Sequence, residues 1–382
     1  MIMKPTIYLD YAAATPVHDS VMVAMLPYYT EKFYNPSATY LAAKAVKTDL
    51  DTARSDIAAI LGARPSEIIF TAGGTEANNL AIKGVLDYFP EANVLVSAVE
   101  HESVLAPAQQ YDHRVIAVNA QGECLTDNLE SLIDDHTVLI SVMYANNEVG
   151  TIQPIRAVAQ IVEKVRKQRR ESGNTQPLYL HTDACQAGNY LDLHVSRLGV
   201  DLMTINGGKI YGPKQSAVLF VGSHVRFKPL IEGGGQERNI RSGTENIAQA
   251  VGLAKALQIA QTHRKENGEH ARELQDFFIT ELKKAIPQGI INGSHKRRLP
   301  NNVHITIPGQ DNERLIFALD EQGILAAAGS ACSASNEEPS HVLRAMGISE
   351  ADAQASLRFT IGNATTKEDI TYTVQTLADL LA

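Results

Sequence analysis

A chain of 382 residues, 44% hydrophobic and 20% charged, has ample material for a core and lacks the composition of a disordered segment. That length favours one large α/β body with a smaller appendage. A formal net charge of -9 argues against a general nucleic-acid binder, which would present a basic surface.

The N-terminal M-I-M-K-P-T-I-Y-L-D lacks the long apolar core of a signal peptide, and no later run is long enough to span a bilayer, so neither secretion nor membrane insertion is expected. From Pro36 to Leu61 the chain is rich in alanine and straight-chain residues, with Gly62 as a stop, which predicts a long helix. The strand E-I-I-F-T follows, then the turn and helix T-A-G-G-T-E-A-N-N-L-A-I-K-G-V. Apolar runs recur at N-V-L-V-S-A-V, R-V-I-A-V, V-L-I-S-V-M-Y, P-L-Y-L-H-T-D and D-L-M-T-I. Short, nearly continuous apolar strands separated by helical stretches predict a mostly parallel sheet covered on both faces. The helical stretch N-I-A-Q-A-V-G-L-A-K-A-L-Q-I-A-Q-T-H-R-K-E-N ends this pattern near residue 260, and N-N-V-H-I-T-I and E-R-L-I-F-A-L-D-E-Q-G-I read as a smaller α+β unit. The boundary is therefore placed at 258, giving a large domain over 16–258 and a small one from 1–15 with 259–382. The basic runs K-V-R-K-Q-R-R (164–170) and H-K-R-R (295–298) read as solvated faces or loops.

Cys124, Cys185 and Cys332 are far apart with no C-x-x-C pair, so neither a disulfide framework nor a zinc site is indicated, and a reducing cytoplasm fits. Cys332 differs from the other two: it lies among small residues in G-S-A-C-S-A-S, just before E-P-S-H-V-L-R-A-M, a setting in which a thiol can be exposed and move. Cys124 and Cys185 read as structural.

The sharper chemistry starts at N-G-G-K-I-Y-G-P-K, where Lys209 follows a strand-like run and two glycines. Alone, such a lysine more often caps a turn in solvent. Upstream, however, P-L-Y-L-H-T-D ends on Asp183, at the carboxyl end of a buried strand, where open α/β sheets place ligands. A pyridoxal phosphate (PLP) site needs a lysine for the Schiff base and an acid for the pyridine nitrogen, and Lys209 with Asp183 could supply the pair. In T-A-G-G-T-E the Gly73–Gly74 turn opens a helix whose N-H groups favour an anion, with the Thr75 hydroxyl beside it; an ordinary helix cap reads equally well. His101, in V-E-H-E-S-V, and the amides of Y-A-N-N-E-V-G also follow strands, His101 as a ring that could lie over an aromatic cofactor or as a plain helix-start histidine.

These pieces resemble the NifS/IscS-type cysteine desulfurases, PLP enzymes of fold-type I in the class V aminotransferase group. The resemblance runs along nearly the whole chain, through Y-L-D-Y-A-A-A-T-P, F-T-A-G-G-T-E-A-N-N, V-E-H-E-S-V, N-N-E-V-G-T-I-Q-P-I, H-T-D-A-C-Q, K-I-Y-G-P-K, G-G-G-Q-E-R-N-I-R-S-G-T-E-N and G-S-A-C-S-A-S-N-E-E-P-S-H-V-L. It implies an α/β fold with a mostly parallel seven-stranded sheet and a smaller α+β domain that carries the cysteine loop. By resemblance, Lys209 holds PLP, Asp183 pairs with its pyridine nitrogen, His101 stacks on its ring, and Gln186 and Asn147 contact its phenolic oxygen side. Thr75 and the Gly74 backbone bind its phosphate, Thr244 reaches the phosphate of a neighbouring subunit in a homodimer, and Arg358 holds the substrate carboxylate, assisted by Asn147. Cys332, on a loop of the long, mobile type, takes sulfur from L-cysteine as a persulfide and passes it to an acceptor, an iron-sulfur scaffold or a tRNA-thiolation enzyme. A transient ligand role for Cys332 toward an iron-sulfur cluster belongs to the same expectation.

One departure stands out. Family members usually carry Ser-Gly-His before the Schiff-base lysine, where this chain has Asn206, Gly207 and Gly208. The Asn206 amide and the Gly208 N-H are the expected replacement donors, PLP retention is expected to be weaker, and Gly208→His is expected to tighten it. Two other readings remain open: a selenocysteine lyase or other class V lyase using the same lysine, and a cofactor-poor homologue that acts by binding partners.

Overall fold

Seven strands form the central sheet of the computed structural model, which describes residues 6–329 and 339–382. After the two-residue β1 (Ile7–Tyr8) they are β2 (Ile68–Thr71), β3 (Asn93–Ser97), β4 (His113–Ile116), β5 (Thr137–Ser141), β6 (Tyr179–Asp183), β7 (Leu202–Asn206) and β8 (Ala217–Val221). Their order across the sheet is β2-β8-β7-β6-β5-β3-β4. β4, β3, β5, β6 and β7 pair in parallel, while β8 runs against both β7 and β2. The sheet is thus mostly parallel, as its unbroken apolar runs predict: β3, β5, β6 and β8 are buried at every residue, which happens only when both faces are covered. Alternation sorts the two faces. Leu95 joins Ile140, Leu180 and Met203 in one core, whereas Val94 and Val96 join Leu139, Leu202 and Leu219 in another.

A third core contains Leu9, Phe278, Val303, Leu357, Phe359 and Leu377. It lies among the helices Arg264–Ala285 and Lys367–Leu381 and an antiparallel sheet. That sheet consists of β9 (Ile290–Ile291) and β10 (Asn302–Thr306), completed past β11 (Ile324–Leu325) by β12 (Ser356–Thr360), in the order β12-β10-β9. β1 pairs with β11, which draws Ile7 and Tyr8 into this unit. The stretch read as one helix across the domain boundary is two, Ile247–Thr262 and Arg264–Ala285, meeting at His263. The first gives Leu253 and Leu257 to the large sheet's core and the second gives Leu274 and Phe278 to the third core, so we propose the domain boundary at this break.

The helix expected from Pro36 begins at Leu41, because Pro36 to Tyr40 form turns and bends in which the Asn35 side chain accepts from the Ser37 N-H. It ends where predicted: Gly62 is left-handed, with φ 65°, and a Cβ there would stand 2.2 Å from His194 Nε2. In the basic run 164–170, Arg169 turns inward and donates to the carbonyls of Pro177, Asp134 and Thr137. No described helix is long and apolar enough to cross a membrane.

Candidate active site

Parallel strands deliver their carboxyl ends to one edge of the sheet, the place where open α/β sheets take ligands. Asp183 closes β6 and Asn206 closes β7. The Ala72–Gly73 turn follows β2 and opens the helix Gly74–Tyr88, His101 follows β3, and Asn147 follows β5. Beside this edge lies a cleft of about 680 Å³ bounded by Ala13, Gly74, Thr75, Asn206, Lys209 and Lys214.

Asp183 is held on both carboxylate oxygens. Oδ1 accepts from the Cys185 N-H at 2.9 Å and Oδ2 from Asn78 Nδ2 at 2.8 Å. Asn78, buried in the helix Gly74–Tyr88, also donates to Ser103 Oγ at 2.8 Å, and Ser103 Oγ lies 2.8 Å from His101 Nδ1. A continuous polar chain therefore runs from Asp183 to His101. His101 is the N-cap of the helix Glu102–Ala108, its Nδ1 accepting from the Ser103 N-H at 3.0 Å, which fixes its ring at the start of that helix. Two residues before Asp183 on the same strand, His181 is wedged between Ser141 Oγ and Thr204 Oγ1, and burial depresses its pKa to about 4. A neutral imidazole thus underlies the carboxylate.

Lys209 sits in a short 3-10 turn, Gly207–Lys209, directly after β7. Its Nζ donates to the Ala13 carbonyl, and its own carbonyl accepts from Asn189 Nδ2 at 2.9 Å. The N-terminal segment braces the turn further: the Gly208 carbonyl accepts from the Thr15 N-H at 3.1 Å, and the Tyr211 N-H donates to Thr15 Oγ1 at 2.8 Å. Gln186 Nε2 donates to the Ala12 carbonyl at 3.0 Å, so Gln186 and Lys209 share one wall.

At the other end of the cleft the N-G-G departure takes a definite form. The Gly208 N-H, expected to be available to an anion, is instead donated to Asn206 Oδ1 at 3.0 Å, because the Asn206 side chain caps the 3-10 turn. The Asn206 amide is oriented by that bond, and Nδ2 faces the glycine turn: a Cβ on Gly74 would stand 3.3 Å from it and 3.0 Å from Cys185 Sγ. Cys185, read as structural, thus lies within the site, yet burial and the neighbouring Asp183 push its thiol well above the usual range. Burial likewise pushes Cys124 up to about 12. Both thiols stay protonated and unreactive at neutral pH.

Arg358, on β12, is almost fully buried and already paired: Nη2 donates to Asp10 Oδ1 at 2.6 Å and Nη1 to the Asn147 carbonyl at 3.0 Å, and Nε has no partner among the described residues. A substrate carboxylate that pairs with this guanidinium through Nη2 would have to displace Asp10. Cys332 lies outside the described residues, but the chain on either side of it converges here. Ala327 bridges to Arg358, and Ser340 Oγ donates to Glu148 Oε2 at 2.6 Å. Thr244 lies apart from Lys209, in a neighbouring cleft of about 330 Å³ that it shares with the exposed Tyr29 and Phe33. Asn78, Asp10 and Lys214 were not singled out from sequence; Asn78 and Asp10 stand in the motifs T-E-A-N-N and Y-L-D-Y, which are visible there, but their partners lie 105 and 348 residues away.

A lysine amine, a carboxylate on the neighbouring strand and a glycine turn rich in donors form the set that PLP requires. Comparison with known proteins points the same way. A model of the aminotransferase class-V family matches residues 7–372. The chain is 40% identical to a protein of Dictyoglomus turgidum named cysteine desulfurase IscS, over 99% of this chain and 95% of the other. A solved NifS-like protein from Rickettsia africae superimposes with a TM-score of 0.88 at 31% identity, covering 98% of this chain and 99% of that one. A structure described as SspA in complex with cysteine gives a TM-score of 0.79 at 32% identity, covering 93% and 99%.

Proposed function

The chain belongs to the aminotransferase class-V family, and from that premise we propose that it is a PLP-dependent cysteine desulfurase. L-Cysteine and the Cys332 thiol give L-alanine and a Cys332 persulfide, a balanced exchange that needs no outside oxidant. The observation that carries this reading is a cleft lined by Lys209 and the Gly73–Gly74 turn, with Asp183 closing β6, the strand paired with the one that leads into Lys209. When bound, PLP supplies an electron sink for charge developing at the substrate Cα. Lys209 anchors the cofactor and moves the Cα proton. Asp183, fixed by Asn78 and the Cys185 N-H, holds the positive pyridine nitrogen, and Arg358 exchanges Asp10 for the substrate carboxylate. Cys332 attacks the substrate sulfur, and its neighbours Ser340 and Ala327 reach Glu148 and Arg358, beside Asn147.

The persulfide sulfur is passed to an acceptor protein, with iron-sulfur cluster assembly and tRNA thiolation as the two destinations. A homodimer belongs to the same proposal: Met22, Val23, Leu26, Tyr29, Phe33 and Leu41 are exposed, and Tyr29 and Phe33 border the cleft that holds Thr244. The test is to incubate the PLP-supplied protein with L-cysteine and measure alanine and protein-bound persulfide. Both should form, and Cys332→Ser should abolish the persulfide while retaining the cofactor's visible absorption. Alanine without Cys332 dependence would favour a lyase instead.

A further inference from the structure

Resting on that cofactor reading, we propose that Lys214 supplies the cationic partner of the cofactor phosphate and occupies the space that glycine at 208 leaves open. A phosphate placed at the Gly73–Gly74 turn meets the first N-H groups of the helix Gly74–Tyr88 and the amide of Asn206, all neutral donors. Two cations, Lys209 and Lys214, line the cleft. The Lys209 amine is engaged in holding the cofactor, which leaves Lys214 to balance the phosphate charge. The other charged group on that wall, Glu76, is neutralised by Arg241 at 2.8 Å.

The local structure presents Lys214 for this task. Its carbonyl accepts from Gln249 Nε2 at 3.2 Å, which ties its backbone to the helix Ile247–Thr262. On one side Ser216 Oγ donates to the Pro213 carbonyl at 2.6 Å, and Gln215 takes a left-handed φ of 58°. The turn is therefore braced while the side chain is exposed, and no described residue pairs with its ammonium. Gly208 has no left-handed requirement. A Cβ there would stand 3.6 Å from Lys214 Cγ and 3.5 Å from Asn206 Oδ1, in ordinary contact, so any longer side chain would have to compete with the lysine stem for the same volume. Glycine at 208 therefore leaves the volume beside Asn206 to the Lys214 stem. The Gly208 N-H cannot replace the lysine, because it is spent on Asn206.

The test compares PLP with pyridoxal, which lacks the phosphate, by titrating each into the cofactor-depleted full-length protein and following the visible band of the lysine-bound cofactor. Lys214→Ala should raise the Kd for PLP about tenfold, as expected for a hydrogen bond to a charged group. It should leave the Kd for pyridoxal unchanged. Lys214→Arg should restore most of the PLP affinity, and added salt should narrow the gap between the unsubstituted protein and the alanine variant. An unchanged PLP affinity in Lys214→Ala, or an equal loss for pyridoxal, would overturn the assignment. Failure of the unsubstituted protein to develop the band with either compound would overturn the cofactor reading itself, an outcome distinct from a specific failure at Lys214.

Discussion

The strand end at Asp183 and the cleft at the glycine turn are built on opposite plans. Both Asp183 carboxylate oxygens are bonded, the supporting Asn78 and His181 are buried, and the chain of contacts continues to His101. Around the glycine turn the groups are open to solvent: Thr75 and Lys214 are exposed, and one candidate donor, the Gly208 N-H, is turned inward. On the proposed reading, a buried carboxylate bonded on both oxygens would be pre-organised toward the cofactor ring and tolerate little change, whereas an exposed phosphate end would bind through screened charge and could be adjusted without loss of the fold. On the proposed cofactor reading, substitutions at one place should alter the chemistry and substitutions at the other should alter retention.

The comparison breaks most completely at its centre. Lys209→Ala should eliminate the lysine-bound band and all alanine release, whichever end is intact, as read by absorption and product assay. Asp183→Asn keeps the shape and removes the charge; kcat should fall by about 100-fold or more, in line with the loss of a pre-organised electrostatic partner, while the PLP Kd moves far less.

Acid distinguishes the two ends next. His181 is neutral when folded, with a pKa of about 4 against about 6.5 for an unburied histidine. A depressed histidine pKa means that the unfolded chain binds the proton first, so this stability is fully present above about pH 6.5 and is lost as pH falls toward 4, by roughly 3 kcal/mol. The thermal midpoint should drop through that window, and His181→Asn should flatten part of the slope. Salt at constant pH should instead weaken PLP retention with little change in the midpoint.

Asn78→Ala leaves one oxygen of Asp183 and the Ser103 hydroxyl short of a donor and should destabilise the protein by about 1–3 kcal/mol, measured by denaturant unfolding. The smallest effect is expected at the open end. Gly208→His adds a donor beside the phosphate but crowds the Lys214 stem, so the gain in PLP affinity should stay below about tenfold.

Much of the large sheet was legible in the sequence because parallel strands buried on both faces read as unbroken apolar runs. The run A-V-L-F-V of β8 was passed over, and nothing local marks it as the strand that runs against its neighbours. Lys209, Asp183 and the Gly73–Gly74 turn could be singled out because each follows a strand, and strand ends are visible along the chain. Asn78 and Asp10 could not be assigned roles, since each acts through a partner more than 100 residues away. The departure at Asn206–Gly208 was evident as a change of residues, but its consequence depends on which way an amide points, and only the Gly208 N-H fixes that.

On the proposed reading, this cleft binds PLP through Lys209 and acts on L-cysteine. The most direct measurement is the visible absorption spectrum of the PLP-supplied protein before and after L-cysteine is added. A lysine-bound cofactor band that is absent from Lys209→Ala and shifts on addition of L-cysteine is the predicted result; no band even with excess PLP, or a band indifferent to L-cysteine, would contradict it.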